Sequence, residues 1–193
     1  MFAAEFWFVA EGLNRTTASH MSVFLYTAPI WAAVGLHLKI PEERLSGRQW
    51  IGIATAFLGI AVAFLVPSIG DGSASLTPEM LLGDLLALAA GAAWGLTTVA
   101  VRVSRLSAAP PTQTLFYQLA ISFVLLTVVT VLIGQLHFVS TPTAWLSLGF
   151  QAVVIAFGSY LVWYWLLRRY LAARLGVLTL LTPIFGVLAG VFL

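Results

Sequence analysis

The chain has 193 residues, with AVILMFWYC at 61%, DEKR at 8% and a formal net charge of +2. A soluble domain draws about a quarter of its residues from the charged set, so this composition excludes a soluble fold of this size. The absence of cysteine excludes disulfides and thiolate metal sites. The basic residues sit in short clusters between apolar runs, which excludes a nucleic-acid partner.

Hydropathy and turn residues predict seven helical segments. The first, 1–13, carries Glu5 inside an apolar stretch with no basic region before it, so it does not read as a signal peptide. As a helix it reaches about 20 Å, short of the roughly 30 Å hydrocarbon core. Asn14-Arg15-Thr16 leads into 17–39, with Pro29 near its middle, and the turn Pro41 to Gly47 leads into 49–66. The Ser-, Gly- and Pro-rich stretch 67–78 is the natural boundary between halves. Then follow 79–103, 112–133, 143–169 and 172–193, separated by Pro110-Pro111, Thr141-Pro142 and the Arg168-Arg169 turn.

Stretches free of Asp, Glu, Lys and Arg run over 16–38, 49–70, 85–101, 106–167 and 175–193. Each holds at least one span of about 20 apolar residues, and the alternation of a membrane β-strand is absent. The expected fold is an all-α integral membrane protein, a polytopic helix bundle.

Basic residues set the orientation. Lys39, Arg44 and Arg48 flank the second connection, Arg102 and Arg105 the fourth, and Arg168, Arg169 and Arg174 the sixth; of nine basic residues only Arg15 falls on the other side. The loops 40–48, 102–111 and 168–174 are therefore expected on the cytoplasmic face of a cell (inner or plasma) membrane. A repeat accompanies this pattern. Placing Ala28-Pro29-Ile30 on Thr182-Pro183-Ile184 also puts Arg15 on Arg169, Ala18 on Ala172 and Val23 on Val177. The Arg15 connection lies on one face and its counterpart on the other, so the repeats are inverted in topology, as in many secondary transporters. Both chain ends are expected to be cut inside a helix.

Residues 15–64, RTTASHMSVFLYTAPIWAAVGLHLKIPEERLSGRQWIGIATAFLGIAVAF, resemble the drug/metabolite transporter superfamily, specifically its EamA-like members. The features are an Ala/Ser-rich entry, a mid-helix proline, a Glu43-Arg44-Leu45 turn, and Gln49-Trp50-x-Gly52 opening the next helix. GDLLALAAGAAWGLTTVAVRVSR (83–105) is similar to that family's sixth helix and LTLLTPIFGVLAGVFL (178–193) to its ninth. The resemblance implies ten helices in two inverted five-helix repeats, of which this chain holds late helix three to helix nine. Residues 1–66 would be a partial first repeat, 67–78 a periplasmic linker, and 79–193 a second repeat lacking helix ten and its preceding Glu-Arg turn. It further implies a secondary transporter or exporter of small metabolites, amino acids or drugs working by alternating access.

Several residues are candidates for a solute site. Glu5 is expected about 12 Å below the first connection, near the midplane, where an ionisable group costs on the order of 3 kcal/mol and faces a cavity. The repeat register gives Ser159 as its counterpart. Tyr26, Trp94, Thr98, Gln151 and Tyr160 supply aromatic or polar groups at depth. Pro29 and Pro183 are candidate hinges, because proline removes an intrahelical bond and frees carbonyls for a cavity. His20 lies near a helix end, where a solvated imidazole is expected, and Asp84 is expected to be held by a helix N-terminus. Trp163, Tyr164 and Trp165 are expected to form an interfacial belt, and the Gly91/Gly95 and Gly186/Gly190 pairs to allow close helix approach.

No metal or cofactor is expected, and the expected partners are the lipid bilayer and a small-molecule solute. The sequence leaves proton coupling and a homodimer open. Two other functions compete. An intramembrane enzyme would need a nucleophile–base pair at matching depth, but G-x-S-x-G and H-E-x-x-H are absent and the three histidines all lie near helix ends. A truncated remnant that inserts without transporting is the other.

Overall fold

Threonine and proline set the helix starts. Thr17, Thr77 and Thr141 accept from the backbone N–H three residues on at 3.2, 3.1 and 3.1 Å. Pro78, Pro111 and Pro142 open their helices, where a missing N–H leaves no bond unmade. The structure is a computed structural model that describes residues 1–70, 77–134, 138–182 and 185. Its helices are α1 (Phe2–Leu13), α2 (Ala18–Leu25), α3 (Ala28–Lys39), α4 (Gly47–Gly70), α5 (Pro78–Val103), α6 (Pro111–Leu132), α7 (Pro142–Phe150), α8 (Tyr160–Arg169) and α9 (Ala172–Thr179). A π-helical segment, Gln151–Ser159, joins α7 to α8, and single 3₁₀ turns occupy Pro41–Glu43 and Arg105–Ala108. No strand occurs among the described residues. Four stretches are long and apolar enough to cross a membrane: Ala18–Lys39, Pro78–Val103, Pro111–Leu132 and Pro142–Arg169. This is a multi-pass helical membrane protein.

Four expected segments differ in the structure. The segment 17–39 is two helices, because a proline cannot donate to the carbonyl four residues back and its ring crowds that carbonyl. For Pro29 that carbonyl belongs to Leu25, and α2 ends there. In the repeat register α9 covers the residues equivalent to α2 and ends at Thr179, four residues before Pro183, which itself lies outside the described residues. The segment 143–169 is continuous but widens into the π turns. Helix α4 runs past its expected end to Gly70, since a proline in the final turn removes one bond without ending the helix.

Between helices in lipid there is little hydrophobic driving force, so close van der Waals packing has to hold them together. Helix α5 is the central post, with α1 on one side and the broken α2–α3 pair on the other. Its buried small residues Gly83, Ala87, Gly91 and Gly95 recur every fourth position. A Cβ on Gly91 would come within 2.6 Å of Thr27 Oγ1 and 2.8 Å of the Phe24 carbonyl; on Gly95 it would meet the Ala28 carbonyl at 2.5 Å. The break in α2–α3 therefore lies directly on α5. The Gly91/Gly95 face allows the close approach expected of it; Gly186 and Gly190 lie outside the described residues. Beyond this core, α6, α7 and the π segment turn Phe123, Trp145, Leu146, Val153 and Phe157 outward, as a lipid-facing surface requires.

Gly95→Ala is expected to lower the thermal midpoint in detergent, at a cost of about 1–3 kcal/mol from overpacking. Gly59→Ala, where nothing lies within 4 Å of the added carbon, should leave it unchanged or slightly raised.

Candidate functional site

Buried polar ties mark the two ends of α5. At one end Asp84 accepts from Thr16 Oγ1 at 2.5 Å, and its other oxygen lies 3.0 Å from His20 Nδ1. At the other end Arg102 Nε donates to Glu43 Oε1 at 3.0 Å and Arg102 Nη1 to the Leu167 carbonyl at 2.8 Å. The second, fourth and sixth connections meet at this basic end, while Arg15, paired with Glu11 at 2.5 Å, lies at the other. Asp84 and Arg102 are about 27 Å apart along the helix, close to the roughly 30 Å hydrocarbon thickness. Trp94 therefore sits near mid-depth, with Thr98 one turn nearer the basic end.

On one side of α5, Trp94 and Thr98 line a small cavity with Pro29, Trp163, Gly176 and Thr179. Its free volume, about 10 Å³, is that of a single water. Tyr26 stands edge-on to Trp94 with ring centroids 6.3 Å apart. Four of the residues singled out in the sequence, Tyr26, Pro29, Trp94 and Thr98, thus come together around the α2–α3 break. The break supplies the reason: it lets α3 start under α5 and presents Pro29 to the cavity.

Glu5 lies on the other side. Helix α1 runs antiparallel to α5, with Gly12 against the Gly83 carbonyl and Phe2 sharing a cleft with Thr97 and Val101. This puts Glu5 near mid-depth, 5% exposed. One carboxylate oxygen accepts from the Tyr160 hydroxyl at 3.4 Å, and the other has no hydrogen-bond partner. Phe2 and Phe6 set their edges on Tyr160 at 5.2 and 6.3 Å. One turn on, the Tyr164 hydroxyl donates to Gln118 Oε1. A cleft of about 250 Å³ alongside is lined by Phe2, Thr97, Gln118 and Ser122.

The remaining candidates stand apart. Gln151 is exposed on the π segment, and Ser159 is exposed and donates to the Ile155 carbonyl at 2.6 Å. Tyr160, not Ser159, faces Glu5. The aromatic belt expected of Trp163, Tyr164 and Trp165 holds for Trp165, which is exposed under the Arg169 guanidinium at 4.3 Å. Trp163 lines the cavity and Tyr164 is buried, because successive residues of a helix face different directions.

His20 and Asp84 correct two expectations. His20 is 7% exposed rather than solvated, and Asp84, at 8%, is partnered by side chains. Asp84 lies in the second turn of α5, beyond the reach of the N-terminal dipole. That position, together with a histidine on a neighbouring span, was the available signal. Glu43 was missed as well. It is 1% exposed, and its oxygens accept from the backbone N–H groups of Ala172 and Ala173, both at 3.0 Å.

A multi-pass helical bundle with broken spans and a buried carboxylate at mid-depth defines the class of polytopic membrane proteins that includes secondary transporters. The chain belongs to the EamA-like transporter family, which matches residues 1–65 and 81–193. It is 22% identical over 191 residues to "Uncharacterized transporter YoaV" of Bacillus subtilis (strain 168), covering 93% of this chain and 59% of that protein. A solved crystal structure shares the fold with a TM-score of 0.73 at 21% identity, over 97% of this chain and 64% of the other. The chain thus spans about three-fifths of the length of the proteins it matches.

A double-mutant cycle of His20→Ala and Asp84→Ala, read by thermal unfolding in detergent, should show a coupling energy of about 0.5–3 kcal/mol. Additive effects would mean that the two side chains are adjacent without interacting.

Proposed function

We propose that the complete protein is a secondary transporter that moves small organic solutes across a cell membrane by alternating access, with the basic end of the bundle cytoplasmic. Residues 1–66 and 79–193 would act as two inverted repeats on either side of the linker 67–78. The observation that carries this reading is Glu5, a mid-depth carboxylate with an unpartnered oxygen beside Tyr160. Such a group is too costly in a membrane interior to serve packing alone, and it suits a cationic group on the solute or a coupled proton.

Tyr26, Trp94, Trp163 and Thr98 offer ring faces and edges and a hydroxyl, which suit amino acids, aromatic metabolites or amphipathic drugs. No basic side chain lines the cavity or the cleft, so a strongly anionic solute such as a nucleotide sugar is disfavoured. Pro29 and Pro183 would be the hinges. The near-closed cavity fits a resting state that opens when the halves rock. Efflux is the expected direction, by the family resemblance. The family's chemistry is translocation, and no bond-making role is assigned to these residues.

The complete gene product in liposomes tests this against a panel of amino acids, aromatic amines and dyes. Uptake or release of at least one solute above protein-free controls is expected. Glu5→Gln and Trp94→Ala should each lower it about tenfold or more, the equivalent of about 1.4 kcal/mol. Gln151→Ala should leave it unchanged. Equal flux in Glu5→Gln and the parent would remove the carboxylate from the site.

A further inference from the structure

The Glu43-Arg44-Leu45 turn is left without a task by the solute site. Yet Glu43 is among the most deeply buried polar side chains described, at 1% exposure. Its carboxylate receives Arg102 Nε and both N–H groups at the start of α9, all at 3.0 Å. Arg102 in turn holds the Leu167 carbonyl at the end of α8. One side chain from the second connection therefore gathers the fourth and the sixth, which come from the other half of the chain. Beneath the cluster lies a small space lined by Arg102, Ser107, Thr114, Tyr164 and Arg168.

A buried ion pair of this kind is poor evidence of stabilisation, because desolvating both charges offsets much of their attraction. Removing one partner is strongly unfavourable, which makes the cluster an all-or-none contact. Between two halves that rock against each other, such a contact holds one arrangement and is lost entirely in the other. The two N–H groups it satisfies at the start of α9 need a partner whenever they are buried, so its release requires water to enter at the basic end.

We propose that Glu43 is a latch that closes the basic end of the bundle: it is made in the state seen here and broken when that end opens. The proposal rests on the alternating-access reading above. Its test needs no solute, so failure of the latch and failure of transport are read separately.

The chain has no cysteine, which permits single-cysteine reporters without background. Thr114→Cys reports from under the cluster and Ser19→Cys from the opposite end, both in nanodiscs where each face meets water. The readout is the rate of labelling by a water-soluble maleimide. Adding Glu43→Gln should raise the rate at Thr114→Cys about tenfold, the effect of losing a charge-assisted hydrogen bond. The rate at Ser19→Cys should stay the same or fall. Arg102→Gln, which strands the buried carboxylate without its cation, should shift the rates the same way. An unchanged rate at Thr114→Cys overturns the latch. A rise at both reporters also overturns it, because Glu43 would then merely hold the bundle together. Should Glu43→Gln fail to insert, Arg102→Gln decides by the same two rates.

Discussion

The fold depends on how closely α5 approaches the broken α2–α3 pair. At Gly91 and Gly95 there is no room for a methyl group between the helices, since carbonyls of the neighbouring backbone already occupy its place. In lipid, where burying one apolar surface against another gains little, this contact is a main source of adhesion between spans. It also explains why the break is tolerated. The irregular backbone at Tyr26 and Thr27 is covered by α5 and partly satisfied within the turn, where the Thr27 hydroxyl donates to the Phe24 carbonyl at 2.6 Å.

Much of this was legible in the sequence because membrane constraints act locally. A stretch without charge must cross or lie in the bilayer, and a proline in the middle of such a stretch weakens its helix. The approximate positions of the spans followed from the first fact and a weak point at Pro29 from the second, while the full break into α2 and α3 did not. The gathering of Tyr26, Trp94 and Thr98 followed in part, since mid-depth aromatics and hydroxyls next to a break have few other places to go.

What was not legible is long-range pairing. His20 and Asp84 are 64 residues apart, and Glu43 and Ala173 are 130 apart. Nothing in the local pattern says that two polar residues near helix ends will find each other rather than water. The same limit placed Ser159 beside Glu5, where Tyr160 stands. The π turns Gln151–Ser159 lead directly into the helix that carries Tyr160, and no sequence signal announced them. One residue of rotation separates a lipid-facing hydroxyl from one that meets a buried carboxylate.

The small residues of α5 recur at every fourth position from Gly83 to Gly95, but Ala87 interrupts the run of glycines. A displacement of about 6 Å along the axis would bring Gly91 to where Gly95 now sits and Ala87 to where Gly91 sits. The methyl group of Ala87 would then meet Thr27 Oγ1 and the Phe24 carbonyl. Shape therefore resists a slide of α5 by one turn along its track. The polar contacts at its two ends, Asp84 with Thr16 and His20, and Arg102 with Glu43, hold the same position. They act as stops on a rail that is already notched.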